Sequence, residues 1–196
     1  MFRGRSQERA IVAAHRPSRL DPMAKLEDVL TTGLDLVICG SAASSVSAER
    51  GHYYAGPGNR FWTNLLDVGL TGRLLEPSEY RSLLDYGIGL TDVVKEQAGM
   101  DSAIDFGGWG ALLRGRLEPY SPAYLCFNGK RAASEALGEK RIQYGLHATS
   151  FGPTRLFVAP STSAAARRWW DGGIWGELAE LVRGVRAGLP PNVPTN

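Results

Sequence analysis

VICGSAASSVSAERGHYYAGPGNRFW, residues 37–62, decides how the rest of the chain reads. An apolar run ends at Gly40. Four small residues follow, Ser41, Ala42, Ala43 and Ser44, and then a segment dense in aromatics and glycine that closes on the pair Asn59–Arg60. A continuous apolar run ending in glycine is the pattern of a strand buried on both faces. Apolar residues at helical spacing then run through NRFWTNLLDVGL, 59–70. The stretch is therefore a strand, a long loop and a helix.

The same alternation extends in both directions. A helical pattern, PMAKLEDVL (22–30), leads through a turn into LDLVIC (34–39). PSEYRSLLDYG (77–87) opens on Pro and Ser, as a helix N-terminus does, and stops at Gly87. IGLTDVV (88–94) is a short strand, GMDSAIDFGG (99–108) a loop, and WGALLRGRLEPY (109–120) a helix. AYLCFN (123–128) is a buried strand before the helix KRAASEALG, TRLFVAP (154–160) is another, and IWGELAELVRGV (174–185) is a closing amphipathic helix. Apolar strands alternating with helices imply an α/β fold, a short parallel central sheet of about four strands with helices on both faces. Residues 22–186 are expected to form the one domain, with a flexible basic arm over 1–21 and a disordered tail over 187–196. In such sheets a ligand sits beyond the C-terminal strand edges. Four segments fall there: GSAASS, TDVVKE, NGKR and APSTSAAARRWW.

Composition narrows the function classes. The chain has 196 residues, 43% hydrophobic and 21% charged, with a formal net charge of +2. Six of its 22 basic residues (Arg3, Arg5, Arg9, Arg16, Arg19 and Lys25) lie in the first 25 positions against two acids, Glu8 and Asp21. Such an arm suits nucleic acid, although solvated termini are commoner. Cys39 and Cys126 each sit inside an apolar run, where buried free thiols are common and a disulfide is unneeded. No Cys or His spacing fits a zinc site or an iron–sulfur cluster, and no G-x-S-x-G elbow or phosphate-cradling glycine loop is present. No apolar run approaches the ~20 residues of a membrane span. A cytoplasmic monomer is expected (nucleoid-associated in a bacterium), without metal, cofactor or membrane partner.

GHYYAGPGNRFW resembles a stretch of the mismatch-specific uracil-DNA glycosylases and thymine-DNA glycosylases, in which similar residues follow the first strand. LLDYGIGLTDVV is similar to that family's second segment, FNGK (127–130) to the end of its third strand, and APSTS (159–163) occupies the place of its Asn-Pro-Ser motif. The resemblance runs from about Leu34 to Val182. It implies an enzyme that flips uracil, or a related damaged pyrimidine, out of DNA and hydrolyses its N-glycosidic bond. It also implies a base pocket shaped by Gly40, Ser41, Ala42, Ala43 and Ser47. Tyr54 would stack on the base, and Asn59 would tie the loop together.

Both motifs that carry the family's chemistry depart here. The asparagine that positions the attacking water is Ala42, and the asparagine of the second motif is Ala159. A methyl group neither orients water nor accepts a proton. Bond breaking develops an oxocarbenium-like sugar and a pyrimidine anion, and a carboxylate near the sugar stabilises the cation and can take a proton from water. Asp92, at the C-terminal edge of the second strand, is the candidate, with an Asx cap on the next turn as its structural alternative. Asp85 and Glu49 are expected in solvent, and His52 on a wall. Ser161 and Ser163 would meet a phosphate, and Ser161 suits an N-cap equally well. Arg167, Arg168 and Lys130 are the candidate phosphate contacts. The loop that carries a bulky wedge in the family is here Thr162-Ser163-Ala164-Ala165-Ala166, so a wedge would fall to Arg167, Arg168 or Trp169. Trp169 either stacks on a base or, together with Trp170, packs on the sheet. Without a strong wedge, mismatched or single-stranded substrates are favoured, because they are easier to unstack. Two rivals follow from the missing asparagines: an inactive lesion-binding or mismatch-binding module on the same fold, and a hydrolase of free nucleosides.

Overall fold

A computed structural model describes residues 26–100 and 107–189. The expected arm at 1–21 and all of the tail beyond Leu189 lie outside the described residues, as do 101–106.

Four apolar runs form the parallel strands β1 (Leu36–Gly40), β2 (Ile88–Asp92), β3 (Tyr124–Asn128) and β5 (Thr154–Ala159). Every residue of these four strands is buried, as continuous apolar runs require. A fifth strand, β4 (Gly145–Phe151), pairs antiparallel with β5 at the edge, giving the order β2-β1-β3-β5-β4. The expectation of four strands is corrected to five. The sequence hides β4 because Ala148, Thr149 and Ser150 are exposed and the register shifts between Leu146 and Ser150. An edge strand with one wet stretch has no continuous apolar run to betray it.

The helices are α1 (Ser45–Arg50), α2 (Phe61–Asp67), α3 (Trp109–Leu117), α4 (Lys130–Leu137) and α5 (Gly172–Arg186), with 3₁₀ turns over Pro77–Tyr86 and Ala164–Trp169. The helix expected over 22–30 is not seen in its described part. From Leu26 the chain is irregular, and Val29 instead exchanges two 2.9 Å backbone hydrogen bonds with Leu90 of β2. Gly89 makes this approach possible, since a methyl group there would lie 2.6 Å from the Val29 carbonyl oxygen and 2.7 Å from Leu34 Cδ1. Satisfying the free edge of β2 overrides the helical spacing of the segment.

The sheet divides the core in two. Leu36, Ile38, Leu90, Cys126 and Phe157 face α2 and α5, whose Phe61, Leu65, Trp175 and Leu178 complete that cluster. Val37, Cys39, Leu125, Phe127 and Val158 face α3 and α4 through Leu113, Leu117, Ala132 and Ala133. Phe61 and Trp62 are core residues, as their place at a helix start suggests. Cys39 and Cys126 belong to opposite faces and are free thiols. Among the described residues no helix is long and apolar enough to cross a membrane.

Candidate active site

A cavity of about 530 Å³ opens at the C-terminal ends of β1, β2 and β3, where β1 is flanked by strands that the chain reaches in opposite directions. The small-residue loop after β1 supplies one wall: Gly40, Ser41, Ala42 and Ala43 all line it. That loop is sewn to the segment after β2. Val93 and Val94 donate to the carbonyls of Gly40 and Ser41 at 2.8 and 2.9 Å, and Gly99 donates to that of Ala43 at 2.9 Å. Alanines at 42 and 43 thus leave open volume inside a fixed backbone.

Asp92 forms the acidic part of the lining and is only 3% exposed. The register pairs it with Gly40, and a methyl group at Gly40 would stand 2.4 Å from Asp92 Oδ1. Glycine is therefore what lets the carboxylate lie against β1. Among the described residues no backbone N–H caps this carboxylate, so the Asx-turn alternative is not realised. Burial pushes its pKa up to about 6. Lys95 pulls it down, Asp28 raises it and Arg116 lowers it. At neutral pH Asp92 is an anion in a poorly solvated place, a base of useful strength. Asp85 and Glu49 are exposed and do not line the cavity. His52 lies outside the lining and tilts against Tyr80, with ring centroids 6.1 Å apart.

The loop between α1 and α2 brings the aromatic wall. Ser44 caps α1 by accepting from the Ser47 N–H at 3.1 Å. Ser47 also lines the cavity, but its hydroxyl accepts from the Ala55 N–H at 3.2 Å and takes the Ser44 hydroxyl at 3.0 Å, so it fixes the loop. Asn59 accepts from the Phe61 N–H at 3.0 Å, the tying role expected of it. Tyr54 adopts φ +53°, unusual for a bulky residue, and stacks on Phe61 at a centroid distance of 3.8 Å with rings 21° apart. One face of its ring is held by the core while the residue lines the cavity.

The Tyr54 hydroxyl is buried and finds no hydrogen-bond partner of good geometry among the described residues. The nearby Asn128 side chain is engaged with Thr162: its amide donates to Thr162 Oγ1 and its carbonyl oxygen accepts from the Thr162 N–H, both at 2.9 Å. Burial, then the Asp92 charge, holds the Tyr54 phenol well above its ordinary pKa, with Asn128 opposing, so it stays an O–H donor. An unpaired buried hydroxyl is destabilising. Tyr54→Phe is accordingly expected to leave thermal stability unchanged or to raise it by up to about 1 kcal/mol in a melting experiment.

After β5 the chain runs past the cavity mouth. Ser161 and Ser163 line it together with Thr162 and Ala165. Ser161 Oγ accepts from the Ser163 N–H at 3.3 Å and donates to Ser163 Oγ at 3.2 Å, but the N-cap of the following 3₁₀ turn is Ser163, with no side-chain cap bond, so the N-cap alternative for Ser161 is not realised and both hydroxyls stay on the rim. Trp175 donates to the Pro160 carbonyl at 2.9 Å, and the Arg60 N–H to that of Thr162 at 2.9 Å, fixing this loop from two sides. Arg167 and Arg168 are exposed on the following 3₁₀ turn. Arg167 reaches the glycine loop, its Nη2 3.0 Å from where a Gly58 methyl would be, and Arg168 lies 5.6 Å from the centre of the Trp169 ring. The two tryptophans part company: Trp169 is 64% exposed, whereas Trp170 packs against the core with the Arg60 guanidinium 5.7 Å from its ring centre. Lys130 stands outside the cavity lining, its ammonium 4.3 Å from the centre of the Tyr144 ring.

Sequence reasoning missed Arg60, exposed between the aromatic loop and Trp170, and the ionic cluster around Asp92. Lys95 lies 3.0 Å from Asp28 and 3.9 Å from Asp92, and Arg116 lies 3.4 Å from Asp28. The i,i+3 spacing of Asp92 and Lys95 was the available signal. Among the described residues no cluster of His, Cys, Asp and Glu is placed to hold a metal ion.

A doubly wound α/β sheet with a pocket of this size beside a buried carboxylate defines a class of ligand-binding or hydrolytic fold. The chain belongs to the Uracil DNA glycosylase superfamily, whose profile matches residues 28–179. Its fold is also similar to the solution NMR structure of a presumed uracil DNA glycosylase from Methanosarcina acetivorans, at 24% identity and a TM-score of 0.51, over 84% of this chain and 98% of that one.

Proposed function

We propose that the protein is a DNA glycosylase of the mismatch-specific and thymine-DNA glycosylase type, excising uracil or a related damaged pyrimidine without metal or cofactor. The single observation that carries this reading is a buried carboxylate, Asp92, on the lining of a cavity of about 530 Å³ that also holds an aromatic wall and an unpaired phenol. That volume lies in the range of small-ligand pockets.

The chemistry follows from the placement. The flipped base enters over the Gly40–Ala43 loop and stacks against the free side of Tyr54. The C1′–N1 bond breaks with its electron pair leaving on the pyrimidine, which becomes an anion. Asp92 stabilises the cationic sugar, takes a proton from water as the oxygen bonds to C1′, and leaves an abasic deoxyribose. Backbone N–H groups around Ser41 and Tyr54 donate to the oxygens of the departing base, while the Tyr54 ring serves as its stacking surface. Ser161 and Ser163 meet the phosphate flanking the flipped nucleotide. Arg167, Arg168 and Arg60 hold the strand, and Trp169 is the side chain free to fill the gap in the stack.

An end-labelled oligonucleotide containing one uracil, incubated with protein and then treated with alkali, tests the proposal. Strand cleavage at the uracil supports it. A shifted but intact band supports the inactive lesion-binding module that Ala42 and Ala159 suggest. Conversion of free deoxyuridine without DNA cleavage supports a nucleoside hydrolase. For the DNA grip, Arg167→Ala/Arg168→Ala is expected to weaken binding and to flatten the dependence of log K on log salt by about 2, near 0.9 for each phosphate no longer neutralised. Fluorescence anisotropy across a salt series reads this directly, and an unchanged slope removes the two arginines from the interface.

A further inference from the structure

Behind Asp92, outside the base-sized cavity, Lys95, Asp28 and Arg116 line a second cavity of about 670 Å³ with Glu27 and Glu96 on it. Lys95 is 8% exposed overall, a rare burial for an ammonium. It lies 3.0 Å from Asp28 Oδ1 and 3.9 Å from Asp92 Oδ2, and donates to the Tyr53 hydroxyl at 2.8 Å. Asp28 in turn accepts from Thr91 Oγ1 at 2.7 Å and lies 3.4 Å from Arg116 Nε. Arg116 donates to the Asp92 carbonyl oxygen at 2.8 Å and to Thr91 Oγ1 at 3.1 Å. Two carboxylates therefore share two cations. Arg116 clamps the main chain at Asp92, while Lys95 is the cation beside its carboxylate.

We propose that Lys95 is a positioning residue for Asp92: a buried ammonium divided between Asp28 and Asp92, whose share sets how much negative charge Asp92 presents to the cavity. The inference rests on the reading of Asp92 as the group that activates water. A compact, three-donor ammonium suits this place, because it reaches Asp28, Asp92 and Tyr53 at once. The titratable and charged groups around Asp92 come from every adjoining element: Lys95 from the segment after β2, Asp28 from the segment before β1, Arg116 from α3, Cys39 from β1, and Tyr53 and Tyr54 from the loop after α1. The two neighbours act in opposite directions. Removing the Lys95 charge leaves Asp92 facing Asp28 with less compensation. Removing the Asp28 charge frees Lys95 for Asp92.

The test compares wild type, Lys95→Met and Asp28→Asn in the full chain. The carbonyl-carbon NMR shift of the Asp92 carboxyl and the single-turnover excision rate on a U:G duplex are each followed from pH 4.5 to 9. Lys95→Met is expected to move the Asp92 midpoint and the acid limb of the rate upward by about one pH unit, and Asp28→Asn to move both downward. At pH 6 Lys95→Met then excises several-fold more slowly than wild type and recovers most of the difference above pH 8. Unmoved midpoints, with a rate lowered evenly across pH, would mean that Lys95 only supports the fold and would overturn the proposal. Should Lys95→Met fail to fold, the Asp28→Asn shift decides by itself. Should Asp92→Asn prove fully active, the catalytic reading fails, and the NMR midpoints still decide whether Lys95 governs the Asp92 charge.

Discussion

Asp92→Asn is expected to reduce uracil excision by about 10³-fold, within the range that a positioned base contributes and equivalent to about 4 kcal/mol of barrier. The amide keeps the shape of the side chain and the fit against Gly40, but it neither accepts a proton nor balances the sugar cation. DNA binding should survive, because Arg60, Arg167 and Arg168 lie outside the cavity lining. Stability should change in the opposite sense to activity. The folded-state pKa of Asp92 is raised from 3.8 to about 6. Its contribution to stability is therefore full below the unfolded pKa and is lost as pH rises through about 6. That difference corresponds to about 3 kcal/mol of destabilisation at neutral pH by an anion that is 3% exposed. The asparagine variant should therefore melt several degrees higher than wild type at pH 7.5, a gap that closes toward pH 4. A variant that is both less stable and inactive would indicate damage to the fold instead.

Gly40→Ala should come next in effect. Its methyl group would stand 2.4 Å from Asp92 Oδ1, so the carboxylate must move, while the Tyr54 hydroxyl at 3.4 Å stays in ordinary contact. The Asp92 carboxylate is short and closely packed, with Lys95 on its other side. A displacement of about 1 Å at a reacting group costs about 10²-fold in rate. Excision should fall by that amount with the melting transition lowered only modestly, since the collision is with one side-chain end in a cavity. Single-turnover kinetics beside a thermal melt separate the two effects, and wild-type excision would show that Asp92 tolerates displacement.

The parts of the molecule visible in the sequence are those dictated locally. β1, β2, β3 and β5 each announce themselves by an apolar run with a glycine or polar break at its end, and the functional segments follow from the rule that parallel sheets bind ligands at their C-terminal edges. Asp92 was legible for the same reason: it is the acid at the end of β2, and the register sets it opposite Gly40. What the sequence concealed depends on distant partners. Residues 26–30 lie within a stretch of helical spacing, yet the open edge of β2 claims Val29. Thr91 and Asp28 are 63 residues apart and meet at 2.7 Å, and no local pattern signals that pair. Trp169 and Trp170 are chemically identical neighbours, and only the end of the 3₁₀ turn separates the exposed ring from the packed one.

The dependence of single-turnover uracil excision on pH, measured on the wild-type protein between pH 4.5 and 8, bears most directly on the role of the buried carboxylate. A rate that climbs with a single ionisation centred near pH 6 and then levels off is the expected result. A rate that stays flat through that interval, or that declines as the carboxylate ionises, would contradict it.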